Sequence, residues 1–202
     1  MLISMERKRQ ATKGSVSKHA NMDKAIVARI CTAIGEAASP EDIFAYIYGV
    51  LYAPQYRAKF KEFLKSEFPR IPYPKSAVEF RAISGIGKSL IDTHLMHDPK
   101  PNLKEIRGRY PVVGDDEVNE VTWVPINSNF GRVRINDTQY FDNVPKTVWE
   151  MPIGGYMPAA KWLKDRKSRK LDNADKDHYQ RIILALDKTA SLMKDLEKMK
   201  LY

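Results

Sequence analysis

The spacing of apolar residues changes period near residue 97, and that change limits the chain to a mixed fold. Before it, Ile26, Val27, Ile30 and Ile34 recur at helical spacing, as do Ile83, Ile86, Leu90, Ile91, His94 and Leu95. Such spacing lays one stripe along a helix. After the linker His97-Asp98-Pro99-Lys100-Pro101-Asn102, residues 118–124 and 132–135 alternate by two, the mark of strands. An Asn-Ser-Asn-Phe-Gly turn at 127–131 separates them, and 139–141 and 146–151 read as continuing the sheet until Gly154-Gly155 ends it. Two helices close the chain, one carrying Trp162 and Leu163. The other starts near Asn173 and carries Tyr179, Ile182, Ile183, Leu186, Met193, Leu196 and Met199. The expected class is α+β: an N-terminal helical segment, then a small, mainly antiparallel sheet flanked by C-terminal helices.

Three segments follow from the same reading: a basic flexible tail at 1–20, a helical segment at 21–98, and an α+β region at 99–202. Asn21 is the expected cap of the first helix, which ends near Gly35. Ser39-Pro40-Glu41-Asp42 is a strong helix start, with a capping hydroxyl, proline at the first position and acids in the first turn. Pro54 interrupts that helix, and a third one is expected to bury Tyr56, Phe60, Phe63 and Leu64. Pro69, Pro72 and Pro74 then force an extended passage.

The stretch Ala82-Ile83-Ser84-Gly85-Ile86-Gly87-Lys88-Ser89 ends like a phosphate-binding loop. That loop needs a glycine where Ala82 stands, and a strand before it. Here Ser76 and Glu79 form a capping box instead, so the stretch is expected inside a helix. No other catalytic motif emerges. His94 and His97 lack a second ligand cluster, so no metal is expected. No Gly-x-Ser-x-Gly elbow is present. Asp115, Asp116, Glu117 and Glu120 are not followed by the Glu-x-Lys that commonly completes a nuclease site. They read as a turn-borne acidic cluster. No cofactor is expected.

The lone Cys31 rules out an internal disulfide and suits a reducing compartment. No apolar run approaches the ~18 residues of a membrane span, and the apolar opening is too short for a signal-peptide core. A cytoplasmic location is expected. Lys and Arg outnumber Asp and Glu by 34 to 25, a net charge of +9 that favours an anionic partner. The excess gathers at 6–18 and at 164–170, where Lys-Asp-Arg-Lys-Ser-Arg-Lys sets five positive charges against one negative. The second run fits either nucleic-acid phosphates or an exposed helix end, where cations also suit the macrodipole.

Two stretches carry a family resemblance. Residues 41–74 resemble the helical segment that follows the adenine methyltransferase domain in Type ISP and Type IIG-like restriction–modification enzymes. Tyr140-Phe141, Val148-Trp149, Gly154-Gly155-Tyr156, Lys161-Trp162-Leu163 with Asp165-Arg166, and His178-Tyr179 resemble the end of their C-terminal target-recognition region. Gly87, Lys88, Leu90, His94 and Leu95 also fit. The likeness runs from about 40 to 195, and the basic opening does not obviously match.

The resemblance implies a module that recognises double-stranded DNA and serves a methyltransferase domain or subunit. The S-adenosylmethionine loop, the Asn-Pro-Pro-Tyr-type motif, and nuclease and helicase motifs are all missing. The chain is therefore expected to be non-catalytic: an excised C-terminal piece, a separate specificity part or a gene remnant. Lys161, Lys164, Arg166, Lys167, Arg169 and Lys170 are the candidate phosphate contacts. Arg132, Arg134, Asn136 and Gln139 are the candidate base readers, since Arg forks onto guanine and Asn or Gln onto adenine. Arg132 and Arg134 fit equally the outward face of an edge strand. The alternative role is docking on a methyltransferase through 21–97 without DNA binding.

Overall fold

A computed structural model of the protein describes residues 20–97 and 108–199. Nearly all of the tail expected at 1–20 and most of the linker after His97 thus lie outside the described residues. Two compact units are drawn, one from within Met1–Ile91 and Met193–Tyr202, the other from within Asp92–Leu192.

In the first unit, α1 (Lys24–Ile34) is capped by Asp23, whose carboxylate accepts the N–H groups of Ala25 at 2.8 Å and Ile26 at 3.1 Å. The cap is therefore Asp23 rather than Asn21. Gly35 closes the helix at φ 74°, its N–H donated to Cys31 O. Helix α2 (Pro40–Tyr52) begins as its sequence dictates, with Ser39 Oγ accepting Asp42 N–H. It buries Ile43, Ala45, Tyr46, Gly49 and Val50. Phe44, Tyr48 and Tyr52, four residues apart, form a half-buried row of rings along it.

The expected third helix is shorter. Helix α3 (Pro54–Lys59) buries only Tyr56, and a 3-10 turn follows at Phe63–Lys65, leaving Phe60, Phe63 and Leu64 half-buried. No side chain caps α3, and one buried anchor is too little to carry a long helix in water. The prolines run extended behind it, pinned where the Tyr56 and Tyr46 hydroxyls donate to Arg70 O and Pro72 O, both at 3.1 Å. Helix α4 (Ala77–His94) contains the whole Gly85-Ile86-Gly87-Lys88-Ser89 stretch, packed against α2. Lys88 pairs with Asp42 at 2.6 Å. These residues form a helix interior, not a phosphate loop.

The second unit holds a sheet of order β1-β2-β3, comprising β1 (Thr122–Pro125), β2 (Phe130–Arg134) and β3 (Tyr140–Pro145), all antiparallel. Asn127 shapes the first hairpin, its Oδ1 accepting the N–H groups of Asn129 and Phe130. A side chain on Gly131 would collide with the Trp123 ring, whose Nε1 donates to Val144 O at 3.3 Å. Residues 146–151 do not extend the sheet. They form the single helical turn α5 (Lys146–Trp149), because Lys146 N–H goes to Asn129 O in the hairpin and Glu150 N–H returns to Lys146 O.

Gly154 and Gly155, at φ 59° and 90°, turn the chain into α6 (Pro158–Lys164), and α7 (Asn173–Lys198) follows. Val133, Ile135, Phe141, Val144, Leu163 and Ile183 make the core between sheet and helices, with Trp123, Trp149 and Trp162 partly buried at its edge. Phe141 lies against Tyr110 and Tyr179, and the buried Tyr179 hydroxyl donates to Ala159 O at 3.0 Å.

Candidate nucleic-acid interface

The basic run at 164–170 begins at the exposed end of α6, with Lys164 its last residue, and continues as a built turn. Leu163 and Leu171 are buried on either side of it. Between them the chain reverses through Ser168 at φ 61°. It then pairs with 116–118: Ser168 N–H donates to Val118 O, Val118 N–H to Arg169 O, and Leu171 N–H to Asp116 O, all at 2.8–2.9 Å. Glu117 and Lys170 form an antiparallel bridge. Lys164, Lys167, Arg169 and Lys170 are exposed, and none has an ion-pair partner among the described residues.

The other two cations of the expected phosphate set are engaged within the unit. Lys161 pairs with Asp165 at 2.6 Å, one helical turn on. Arg166 lies over the Trp162 ring, 3.5 Å from its centre, and donates to Trp162 O and Asp175, both at 3.2 Å. Its side chain is only 24% exposed.

The turn is anchored through Asp116, an αL residue at φ 62°. Its carboxylate accepts from Lys176 Nζ and Gln139 Nε2 at 2.7 Å and from Tyr110 Oη at 3.0 Å. Partial burial opposes ionisation of Asp116, but these three donors outweigh it and hold the carboxyl below the usual range. Burial, with the Asp116 carboxylate beside it, pushes the Tyr110 phenol up. The acidic cluster gave no sign of these roles beforehand. The cluster's reading as turn-borne agrees with the αL conformation of Asp116, which Asp tolerates.

Two of the four expected base readers are inside this network. Gln139 is fully buried and Asn136 nearly so. Gln139 accepts Asp116 N–H at 2.8 Å and an Asn136 Nδ2 proton at 2.9 Å, and donates to Val112 O at 3.2 Å. Asn136 also donates to Glu117 O, while its oxygen accepts the N–H groups of Thr138 and Gln139. Their amides are shielded from solvent and committed to partners within the unit.

Arg132 and Arg134 stand on the open face of β2, which is the central strand rather than an edge. Arg132 lies over the Tyr140 ring at 4.5 Å and pairs with Asp142 at 3.2 Å. Arg134 pairs with Glu120 at 2.9 Å and donates to Asp137 O. Among the described residues no group of His, Cys, Asp and Glu could hold a metal, and no helix is long and apolar enough to cross a membrane.

A family model described as the Type ISP C-terminal specificity domain matches residues 2–195, so the match includes the basic opening. Three solved structures share the fold. The ATP-dependent Type ISP restriction–modification enzyme LlaBIII, bound to DNA, aligns at TM-score 0.67 and 20% identity over 89% of this chain. A nuclease-deletion mutant of the Type ISP enzyme LlaGI, with a DNA substrate mimic, aligns at 0.60 and 22% over 79%. DrdV, in a DNA complex, aligns at 0.70 and 19% over 87%. The chain spans only 12%, 14% and 20% of the LlaBIII, LlaGI and DrdV chains. A comparison with curated proteins gave no match. With nearly every residue inside the family model, and the fold shared with the three structures, the chain belongs to the Type ISP C-terminal specificity domain family.

Proposed function

We propose that this chain binds double-stranded DNA as the specificity part of a restriction–modification enzyme, without catalysing a reaction itself, and serves an adenine methyltransferase domain or subunit. One observation carries the reading: Lys164 at the end of α6 and Lys167, Arg169 and Lys170 on the following turn, held to 116–118 through residues 168–171, are exposed, with no ion pair among the described residues. Fixed cations without internal partners suit phosphates, which supply affinity and position but no sequence information. Membership of a specificity-domain family supports the same reading. Arg132 and Arg134 are the readers retained on an open face. Their carboxylate partners are solvent-accessible, and such pairs contribute only about 0–1 kcal/mol, so a guanine edge can replace them.

Fluorescence-anisotropy titration of the purified chain against random duplexes at several salt concentrations tests this. Four phosphate contacts give a log–log slope of about −3.6, at roughly −0.9 each. Changing all four cations to Ala should flatten it. Absence of binding at low salt refutes independent DNA recognition. The half-buried ring row of Phe44, Tyr48 and Tyr52 supports a second role, docking of the helical segment on the methyltransferase part. That role predicts association with the methyltransferase even when DNA binding is lost.

A further inference from the structure

We infer that Asn143 is a specificity-determining residue that reads an adenine edge near the guanine taken by Arg132, with Asp142 positioning both. The inference rests on the DNA-binding reading above and adds one base contact and one positioning residue to it.

The sheet departs from regular pairing at one place. Gly131 pairs with Val144 and Val133 with Phe141, so Asp142 and Asn143 of β3 together stand opposite Arg132 of β2. This is a β-bulge, a device that re-aims side chains. Phe141 and Val144 are both buried. Between them Asp142 is half-buried and Asn143 exposed, so both turn to the open face. Strict alternation would have sent Asn143 inward.

Asn143 is αL at φ 56°, a conformation that Asn tolerates and Gly adopts at no steric cost. The backbone alone would be served as well by glycine, so it does not account for the amide. Asn143 N–H donates to Asp142 Oδ1 at 3.0 Å, but its side-chain amide has no hydrogen-bond partner among the described residues.

The same Asp142 oxygen accepts Arg132 Nε at 3.2 Å, and the guanidinium lies 4.5 Å from the centre of the Tyr140 ring. Asp142 is held in turn by its own N–H, which donates to Arg109 O at 2.6 Å. One carboxylate oxygen therefore sets both the chain at Asn143 and the inner end of the Arg132 fork. Nη1 and Nη2 of Arg132 have no hydrogen-bond partner among the described residues. Those are the donors that fork onto guanine O6 and N7, and a free amide is the group that pairs with adenine N6 and N7. Asp142 need not give way to the base, since it holds only Nε.

Neighbouring strands lie about 4.8 Å apart and base pairs ~3.4 Å, so the two side chains reach base pairs one or two steps apart. The cationic turn belongs to the same framework. Val118 is bonded to Ser168 and Arg169 of the turn, while Asn119 and Glu120 both donate N–H to Ile135 O, just past β2.

The test is selection of preferred duplexes by the full 202-residue chain, compared with Asn143→Gly, Asn143→Asp and Asp142→Ala. Gly and Asp both accept the αL backbone, so either Asn143 variant decides the matter, with thermal melts to check folding. Wild type should select an adenine one or two steps from a guanine. Asn143→Gly should lose the adenine preference by about 5- to 150-fold, the span of one bidentate pair, and keep the guanine and the salt slope. Asn143→Asp should move that position to cytosine, whose N4 donates to a carboxylate. Asp142→Ala should blur both positions together. Adenine kept by Asn143→Gly, a position unmoved by Asn143→Asp, both positions kept by Asp142→Ala, or salt-dependent binding with no sequence preference overturns the inference and leaves the DNA-binding reading standing. Failure to bind any duplex at low salt overturns both.

Discussion

Gly49 of α2 and Gly87 of α4 face each other so closely that neither tolerates a side chain. A Cβ on Gly49 would lie 2.8 Å from Ile83 O, and one on Gly87 would fall on the Ala45 carbonyl oxygen. Gly85, two residues earlier, is exposed with open space around it. Gly87→Ala should cost about 1–3 kcal/mol, as overpacking does. Gly85→Ala should gain up to about 1 kcal/mol from helix propensity. Urea midpoints moving in opposite directions would verify the pair, and a stabilising Gly87→Ala would contradict it.

Arg166 and its neighbours should separate cleanly. Arg166→Ala removes a stacked, ion-paired guanidinium and should cost about 1–2 kcal/mol. Arg166→Lys should not restore it, because an ammonium cannot stack and fork at once. Lys167→Ala and Arg169→Ala should stay within about 0.5 kcal/mol of wild-type stability. Each should reduce the DNA salt slope by about 0.9. Thermal melts beside anisotropy titrations distinguish the two kinds of residue.

Asp116 gives the second unit an acid limit. Its folded carboxyl titrates below the usual range. The stability it supplies is therefore complete above the unfolded value of about 4 and is lost as pH falls through the lower folded value. Asp116→Asn should weaken the unit at neutral pH by about 1.5–3 kcal/mol, the range for hydrogen bonds to a charged group. It should also flatten the acid limb of the stability curve. An acid limb unchanged in the variant would place the titration elsewhere.

His94 sets a second pH dependence, at a higher range. Thr189 Oγ1 donates to Ala185 O at 2.7 Å, so it accepts from His94 Nε2 at 2.9 Å. Burial lowers the imidazole pKa from its ordinary value. The unfolded ring takes up a proton first, so stability declines as pH falls from about 6.5. His94→Gln should remove that decline, measured by melting temperature across neutral to mildly acidic pH.

The start of α2 was legible because its signals are local: Ser39 and Pro40 act on the next four residues, whereas the sequence points to Asn21 for the start of α1, two residues before the Asp23 that caps it. Residues 146–151 were not legible, because a single helical turn with only Val148 buried is too short for its period to be told from alternation. The cationic turn was visible as charge, but not its division into engaged and free members. That division depends on Trp162, Asp165 and Asp175 arriving beside the run in space. Asn136 and Gln139 have the chemistry of base readers, and their burial was not legible, because Asp115, Asp116 and Val112 meet them only in space.

The placement of Trp123, Trp149 and Trp162 makes the protein its own reporter. All three tryptophans of the chain lie within Asp92–Leu192. The N-terminal helices carry tyrosine and phenylalanine only. Selective excitation of tryptophan therefore follows one unit, while helical circular dichroism records both. Where the two signals fail to coincide during denaturation, the difference isolates the helical unit without a label. Trp162 lies under the guanidinium of Arg166, the residue just before Lys167, and so also places an emitter beside the proposed DNA contact.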